Sequence, residues 1–165
     1  MKRFTLEVSV TEKCNLGCPY CYVANKHTFM TKEVFDEGMI KLKDLMRLSG
    51  TTEYFISFFG GEPMLNWDLI TYAVPKLKAD PQCKGLNIIS NMTMIDEEKA
   101  EYIKKEGIGV SWSFDGMSSN DTRPLLPLLE NTNPETGELF DGILELYKSK
   151  KHLLSLNQPF KNFDF

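Results

Sequence analysis

Short β-rich apolar runs alternate with amphipathic helical stretches along almost the whole chain, and this alternation constrains the fold more than any single motif. Phe4–Val10 (FTLEVSV) alternates polar and apolar residues, which predicts a first strand. A loop follows from Thr11 to about Met30. Thr31 is placed to cap a helix carrying Phe35, Met39, Leu42, Leu45 and Met46 on one face, with Gly50 just past its end. Tyr54–Phe59 (YFISFF) is nearly continuous in apolar residues, the pattern of a strand buried on both faces. Asn66 is expected to cap a second helix with Trp67, Ile70, Ala73, Val74 and Leu77 inward. Pro75 should kink that helix or end it early.

Leu86–Ser90 predicts a third strand, and Asp96 caps a third helix that runs to Lys105 and stops at Gly107. Ile108–Phe114 predicts a fourth strand, with Trp112 on the opposite face from Ser111 and Ser113, packing against helices. A polar loop over 118–136, helical spacing through Phe140, Ile143, Leu144 and Tyr147, and a fifth strand over His152–Leu156 complete the pattern. Strands and helices in strict alternation imply an α/β fold with parallel strands and right-handed crossovers. No linker or repeat interrupts it, so residues 1–165 read as one domain.

Composition narrows the function classes. The net charge of −4 argues against a nucleic-acid surface, which needs a basic face. The first residues, MKRFTLEV, lack the apolar core of a secretion signal, and no segment has the length of a membrane span. The expectation is a cytoplasmic protein with no membrane association. In a reducing compartment, clustered cysteines are metal ligands or catalytic groups more often than disulfides. Cys83 stands apart from the others and reads as a loop thiol without a special role.

The polar and special residues fall at strand ends. Cys14, Cys18 and Cys21 follow the first strand with CxxxCxxC spacing, and Tyr20 directly precedes the third cysteine. Gly60-Gly61-Glu62-Pro63 follows the second strand, Ser90-Asn91 the third, and Ser113-Phe114-Asp115-Gly116 closes the fourth. In α/β barrels and sheets, sites assemble at the C-terminal ends of strands. Three thiolates can hold three irons of a four-iron cluster and leave one iron open to a ligand. The competing reading is structural zinc, which takes four Cys or His ligands; only His27 is near enough in sequence to be the fourth. Ser90-Asn91 and Asp115-Gly116 also fit ordinary turns.

The Cys14–Cys18–Cys21 spacing with Tyr20, followed by Gly60-Gly61-Glu62-Pro63, resembles the radical S-adenosylmethionine superfamily. The resemblance implies a partial (β/α) barrel of that family's type, here with about five parallel strands. It implies a [4Fe-4S] cluster on the three cysteines. S-adenosylmethionine on the open iron would be cleaved by one electron to a 5′-deoxyadenosyl radical that abstracts hydrogen from substrate. Tyr20 would lie against the adenine, and Gly60, Gly61 and Pro63 would bring backbone close to the cofactor. Glu62 and nearby carbonyls would accept from its ammonium, Ser90, Asn91 and Ser113 would reach the cofactor, and Asp115 would sit near the ribose or substrate.

The Ser113–Gly116 segment resembles more narrowly the anaerobic sulfatase-maturating and other SPASM-type peptide-modifying enzymes. That subgroup implies a peptide or protein substrate and an external electron donor. Its His-Asp-x-x-Arg stretch reads Asn120-Asp121-Thr122-Arg123 here. No cysteine follows Cys83, so no auxiliary cluster is expected. The core looks truncated at its C-terminal side; a fragment, a partner chain completing the barrel, or a tail folded over the open edge would each account for that. The alternatives to a radical enzyme are a non-catalytic cluster-binding remnant and a zinc-stabilised module.

Overall fold

A computed structural model describes residues 2–113. The elements run β1 (Arg3–Thr11), α1 (Lys32–Ser49), β2 (Glu53–Gly60), a short 3-10 turn (Pro63–Asn66), α2 (Trp67–Ala79), β3 (Cys83–Ser90), α3 (Glu97–Glu106) and β4 (Gly109–Trp112). The four strands form one sheet in the order β1-β2-β3-β4, every pair parallel. Right-handed crossovers between strands in consecutive order must place all the helices on one side. The core shows this. Phe35 and Met46 of α1, Ile70 and Leu77 of α2, and Ile103 of α3 pack in one cluster with Tyr54, Ile56, Phe58, Ile88 and Val110 of the strands. A sheet covered this way curls toward a barrel, whereas a doubly wound sheet has helices on both faces. The predicted fifth strand and its preceding helix lie outside the described residues.

One-sided cover corrects the reading of β2. Its burial alternates: Tyr54, Ile56, Phe58 and Gly60 are buried, while Glu53, Phe55, Ser57 and Phe59 are only partly so. The latter four face away from the helices. Trp112 packs against the helix-side core beside Val110, as alternation predicts.

Local caps define the helix ends. The Thr31 hydroxyl accepts from the Val34 amide and the Asp96 carboxylate from the Lys99 amide, while Gly50 and Gly107 close their helices in the left-handed conformation. Three local expectations fail, and at Pro75 one of the two expected outcomes, an early helix end, does not occur. Leu45 is 53% exposed, because it lies roughly 80° around α1 from the Phe35–Leu42–Met46 stripe. Asn66 makes no cap bond; its Nδ2 donates instead to the carbonyls of Val10 (2.8 Å) and Met30 (3.0 Å), tying the end of β1 to the start of α1. Pro75 sits inside α2, which runs on to Ala79. The carbonyl a residue at 75 would have bonded is that of Thr71, and the Tyr102 hydroxyl reaches it at 3.5 Å. Cys83 opens β3 rather than lying in a loop, and burial pushes its thiol above the ordinary value.

Candidate functional site

The segment between β1 and α1 is closed at its base like a purse. The Thr11 hydroxyl and the Glu12 amide both donate to the Thr28 carbonyl, at 2.8 and 3.0 Å, and the Met30 amide donates to Val10 O at 2.9 Å. The three cysteines sit inside that closure. The Cys14 amide donates to Asn25 Oδ1 at 3.0 Å, and Asn25 has a left-handed φ of 48°. The Cys21 amide donates to Cys18 O at 3.1 Å.

The Gly60-Gly61 turn holds this loop from the β2 side. The Gly61 amide donates to Thr11 O at 2.8 Å and the Glu62 amide to Lys13 O at 2.9 Å, which extends the β1–β2 ladder into the cysteine loop. A Cβ at Gly60, whose φ is 137°, would lie 2.0 Å from Thr11 O. One at Gly61 would lie 2.3 Å from Lys13 O and 2.9 Å from the Cys14 nitrogen. The close approach that requires glycine is therefore to the cysteine loop itself, a role the sequence reading did not assign.

Glu62 has a structural role. Its side chain is fully buried and is not part of the cavity wall. Its carboxylate accepts from the Ser90 hydroxyl (2.8 Å), the Asn91 amide (2.8 Å) and the Met64 amide (3.2 Å). This places Glu62 as a strut between the β2 and β3 ends, with Pro63 and Ser90 buried beside it. Burial of this polar group is tolerated there because several donors converge on it.

The remaining predicted residues come together. Cys14, Cys18 and Cys21, with Tyr20, line one cavity of about 210 Å³ that also takes in Gly60 and Gly61 of β2, Asn91 after β3 and Ser113 after β4. The Ser113 amide donates to Ser90 O at 2.9 Å, which fixes that rim residue against β3. Tyr22 was not singled out from sequence; it also lines the cavity and stacks on Phe59 at 6.2 Å between centroids. Asp115 and the Asn120–Arg123 stretch lie outside the described residues. A second hollow of about 220 Å³ lies on the helix side between α1 and α2. Its charges pair with one another, Lys43 with Asp80 and Lys76 with Asp36, so it offers no comparable cluster of reactive groups.

The donor set fits an iron–sulfur cluster better than one metal ion. A zinc ion draws four ligands to about 2.0–2.3 Å from one point. His27, the residue near enough in sequence to be a fourth ligand, is exposed and not on the cavity wall. Three thiols spread around one cavity suit a ligand that takes each sulfur on a different iron. Burial pushes the Cys14 thiol up, the Leu16 amide opposes this, and negative charge on Glu62, Cys18 and Cys21 adds to the rise. A bound cationic centre reverses such a balance and holds the thiol deprotonated.

Comparison with known proteins agrees with this geometry. A model of the radical SAM superfamily matches residues 8–153. An uncharacterized protein of Methanocaldococcus jannaschii is 33% identical over 161 residues, covering 94% of this chain and 50% of that protein. The radical SAM cyclopropyl synthase TigE of Paramaledivibacter caminithermalis is 28% identical over 125 residues, covering 67% of this chain and 26% of TigE. GTP 3′,8-cyclase of Listeria welshimeri is 31% identical over 118 residues, covering 70% of this chain and 34% of the cyclase. The chain spans half or less of the length of these relatives. Among solved structures, native anSMEcpe with bound AdoMet and Cp18Cys peptide superposes with a TM-score of 0.59 at 21% identity, over 92% of this chain and 41% of that one. At that identity the likeness speaks to the fold.

Proposed function

Because the chain belongs to the radical SAM superfamily, whose cofactors are S-adenosylmethionine and a [4Fe-4S] cluster, we propose that Cys14, Cys18 and Cys21 are the cluster's protein ligands and that the cavity they line takes S-adenosylmethionine. The observation that carries this assignment is the meeting of all three thiols with the ends of the other three strands around one cavity. When bound, the cluster supplies the electron for reductive cleavage of the sulfonium, chemistry that yields a hydrogen-abstracting radical.

The chain's own residues prepare that chemistry. Gly60 and Gly61 let the β2 end lock onto Thr11 and Lys13, so the first cysteine is held at a fixed height above the sheet. Glu62 ties the β2 end to Ser90 and Asn91, which keeps the two walls of the cavity in register. Tyr20, 55% exposed, and Tyr22, which stacks on Phe59, both line the cavity, and Tyr20 is assigned to lie against a bound adenine and exclude water. The Ser113 hydroxyl at the β4 rim supplies a donor and acceptor for the cofactor. Asp115, two residues on, is assigned to the ribose or the substrate.

The substrate class proposed is a peptide or protein side chain, with an external electron donor. Its support is the likeness in fold to a structure solved with a bound peptide. The test is anaerobic reconstitution with iron and sulfide, followed by reduction in the presence of S-adenosylmethionine. Four irons and four sulfides per chain and formation of 5′-deoxyadenosine are expected. Protein that holds one zinc and no sulfide, or a cluster that yields no 5′-deoxyadenosine, overturns the reading.

A further inference from the structure

Asn15, Asn91 and Thr93 close a ring of three hydrogen bonds behind the first cysteine. Asn91 Nδ2 donates to Asn15 Oδ1 at 2.9 Å, and Asn15 Nδ2 donates to Thr93 Oγ1 at 2.8 Å. The Thr93 hydroxyl completes the circuit by donating to Asn91 Oδ1 at 2.7 Å. The direction of the ring is fixed. The Thr93 backbone amide, which can only donate, also reaches Asn91 Oδ1 at 3.0 Å. The Asn91 oxygen therefore faces Thr93, and its nitrogen faces the cysteine loop. Bonds that run in one direction around a circuit polarise one another, which stiffens the arrangement.

That nitrogen has a second hydrogen, and Cys14 Sγ lies 3.9 Å from it. The Leu16 amide donates to the same sulfur at 3.4 Å. Asn91 is only 4% exposed, so water competes little for its amide.

We infer that Asn91 is a positioning residue that aims an amide hydrogen at the Cys14 sulfur and thereby raises the reduction potential of the cluster, with Asn15 and Thr93 holding the aim. The inference rests on the cluster assignment made above. Reduction adds negative charge that is shared by the cluster's sulfurs. An N–H donor at such a sulfur stabilises the reduced state more than the oxidised one, which makes reduction easier. The Asn15 link also means that the residue next to Cys14 is tethered to the β3 end, 76 positions further along the chain.

The experiment is a potentiometric titration of the reconstituted protein followed by electron paramagnetic resonance. Pulsed spectra of the reduced cluster are recorded in H₂O and D₂O. Asn91→Asp removes the donor and places a carboxylate beside the sulfur, so the midpoint potential should shift furthest to negative values. Asn91→Ala should shift it less, and Thr93→Val less again, in the same direction. The exchangeable-proton coupling should weaken in both Asn91 variants. If Asn91→Asp fails to retain its cluster, Asn91→Ala and Thr93→Val carry the test. Unchanged potentials and couplings in variants that hold the cluster overturn the inference. Failure of the unsubstituted protein to assemble a cluster overturns the cluster assignment instead.

Discussion

The helix side of the sheet and its C-terminal rim are built by different means. On the helix side, apolar side chains from three helices and four strands fill one continuous core, and Tyr54, Phe58, Ile70, Ala73, Val74 and Ile88 have no exposure at all. At the rim the contacts are between named atoms: Gly61 to Thr11, Glu62 to Lys13, Ser90 and Asn91, Asn91 to Asn15. Non-directional burial tolerates changes of shape if volume is kept. Hydrogen-bonded frames do not, since each lost partner strands another group. The core should therefore determine how stable the chain is, and the rim what it can hold.

The sharpest test of that division is Phe58→Ala. Truncating a fully buried phenylalanine should reduce stability by about 3–5 kcal/mol, read as a lower urea midpoint. Iron bound per folded molecule should not change, and a parallel loss of iron would break the division. Gly60→Ala is the converse. Its Cβ meets Thr11 O, and its φ of 137° is foreign to alanine, so about 3 kcal/mol of strain falls on the loop that carries the cysteines. Iron content should fall several-fold in protein that still folds; full loading would show that the loop can shift without consequence.

Met92 sits on the boundary, buried in the core yet left-handed at a φ of 68°. Truncation to alanine should remove about 2–5 kcal/mol of burial while keeping the strain. Truncation to glycine releases about 1 kcal/mol of that strain. Met92→Gly should therefore melt above Met92→Ala, the reverse of the usual order, and the opposite ranking would show that the turn is unstrained. At the α3 start, Asp96→Ala should cost about 1 kcal/mol in thermal unfolding through loss of the bond to the Lys99 amide, with no effect on iron.

The smallest effect is electrostatic and lies on the helix side. Burial alone would raise Asp80, but Lys43, the Tyr54 hydroxyl (2.6 Å) and the Gln82 amide hold it below the ordinary carboxylate value. The unfolded chain then binds the proton first as pH falls. The stabilisation is complete above the unfolded Asp value of about 3.9 and is lost as pH drops below it through the folded value. Asp80→Asn should flatten the acid end of the stability curve and leave neutral iron loading alone. An unchanged acid limb would remove Asp80 from the account.

What the sequence revealed and what it hid separate along the same line. Strands, helix caps at Thr31 and Asp96, and helix stops at Gly50 and Gly107 are decided within a few residues, so they are readable one window at a time. Leu45 and Asn66 went astray because their surroundings come from elsewhere in the chain. At Pro75 the helix continues rather than ending, and Tyr102, 31 residues beyond Thr71, serves the carbonyl left behind. The cysteines, Gly60, Gly61, Asn91 and Ser113 were found by type and spacing and do share a cavity. The true neighbour of the two glycines, the strut role of Glu62, and the Asn15–Asn91–Thr93 ring had no local signature. Asn15 and Asn25 look like any polar loop residues until the fold joins Asn25 to Cys14 and Asn15 to Asn91.

The extension of the β1–β2 ladder into the cysteine loop has a consequence for assembly. Zinc fingers gain their shape when the ion arrives, and chelators unfold them. Here Thr11, Lys13, Gly61 and Glu62 join the loop to the sheet through main-chain bonds in which no cysteine sulfur takes part. Chelating the iron should thus empty the protein without melting it, and repeated stripping and refilling should return the same molecule each time.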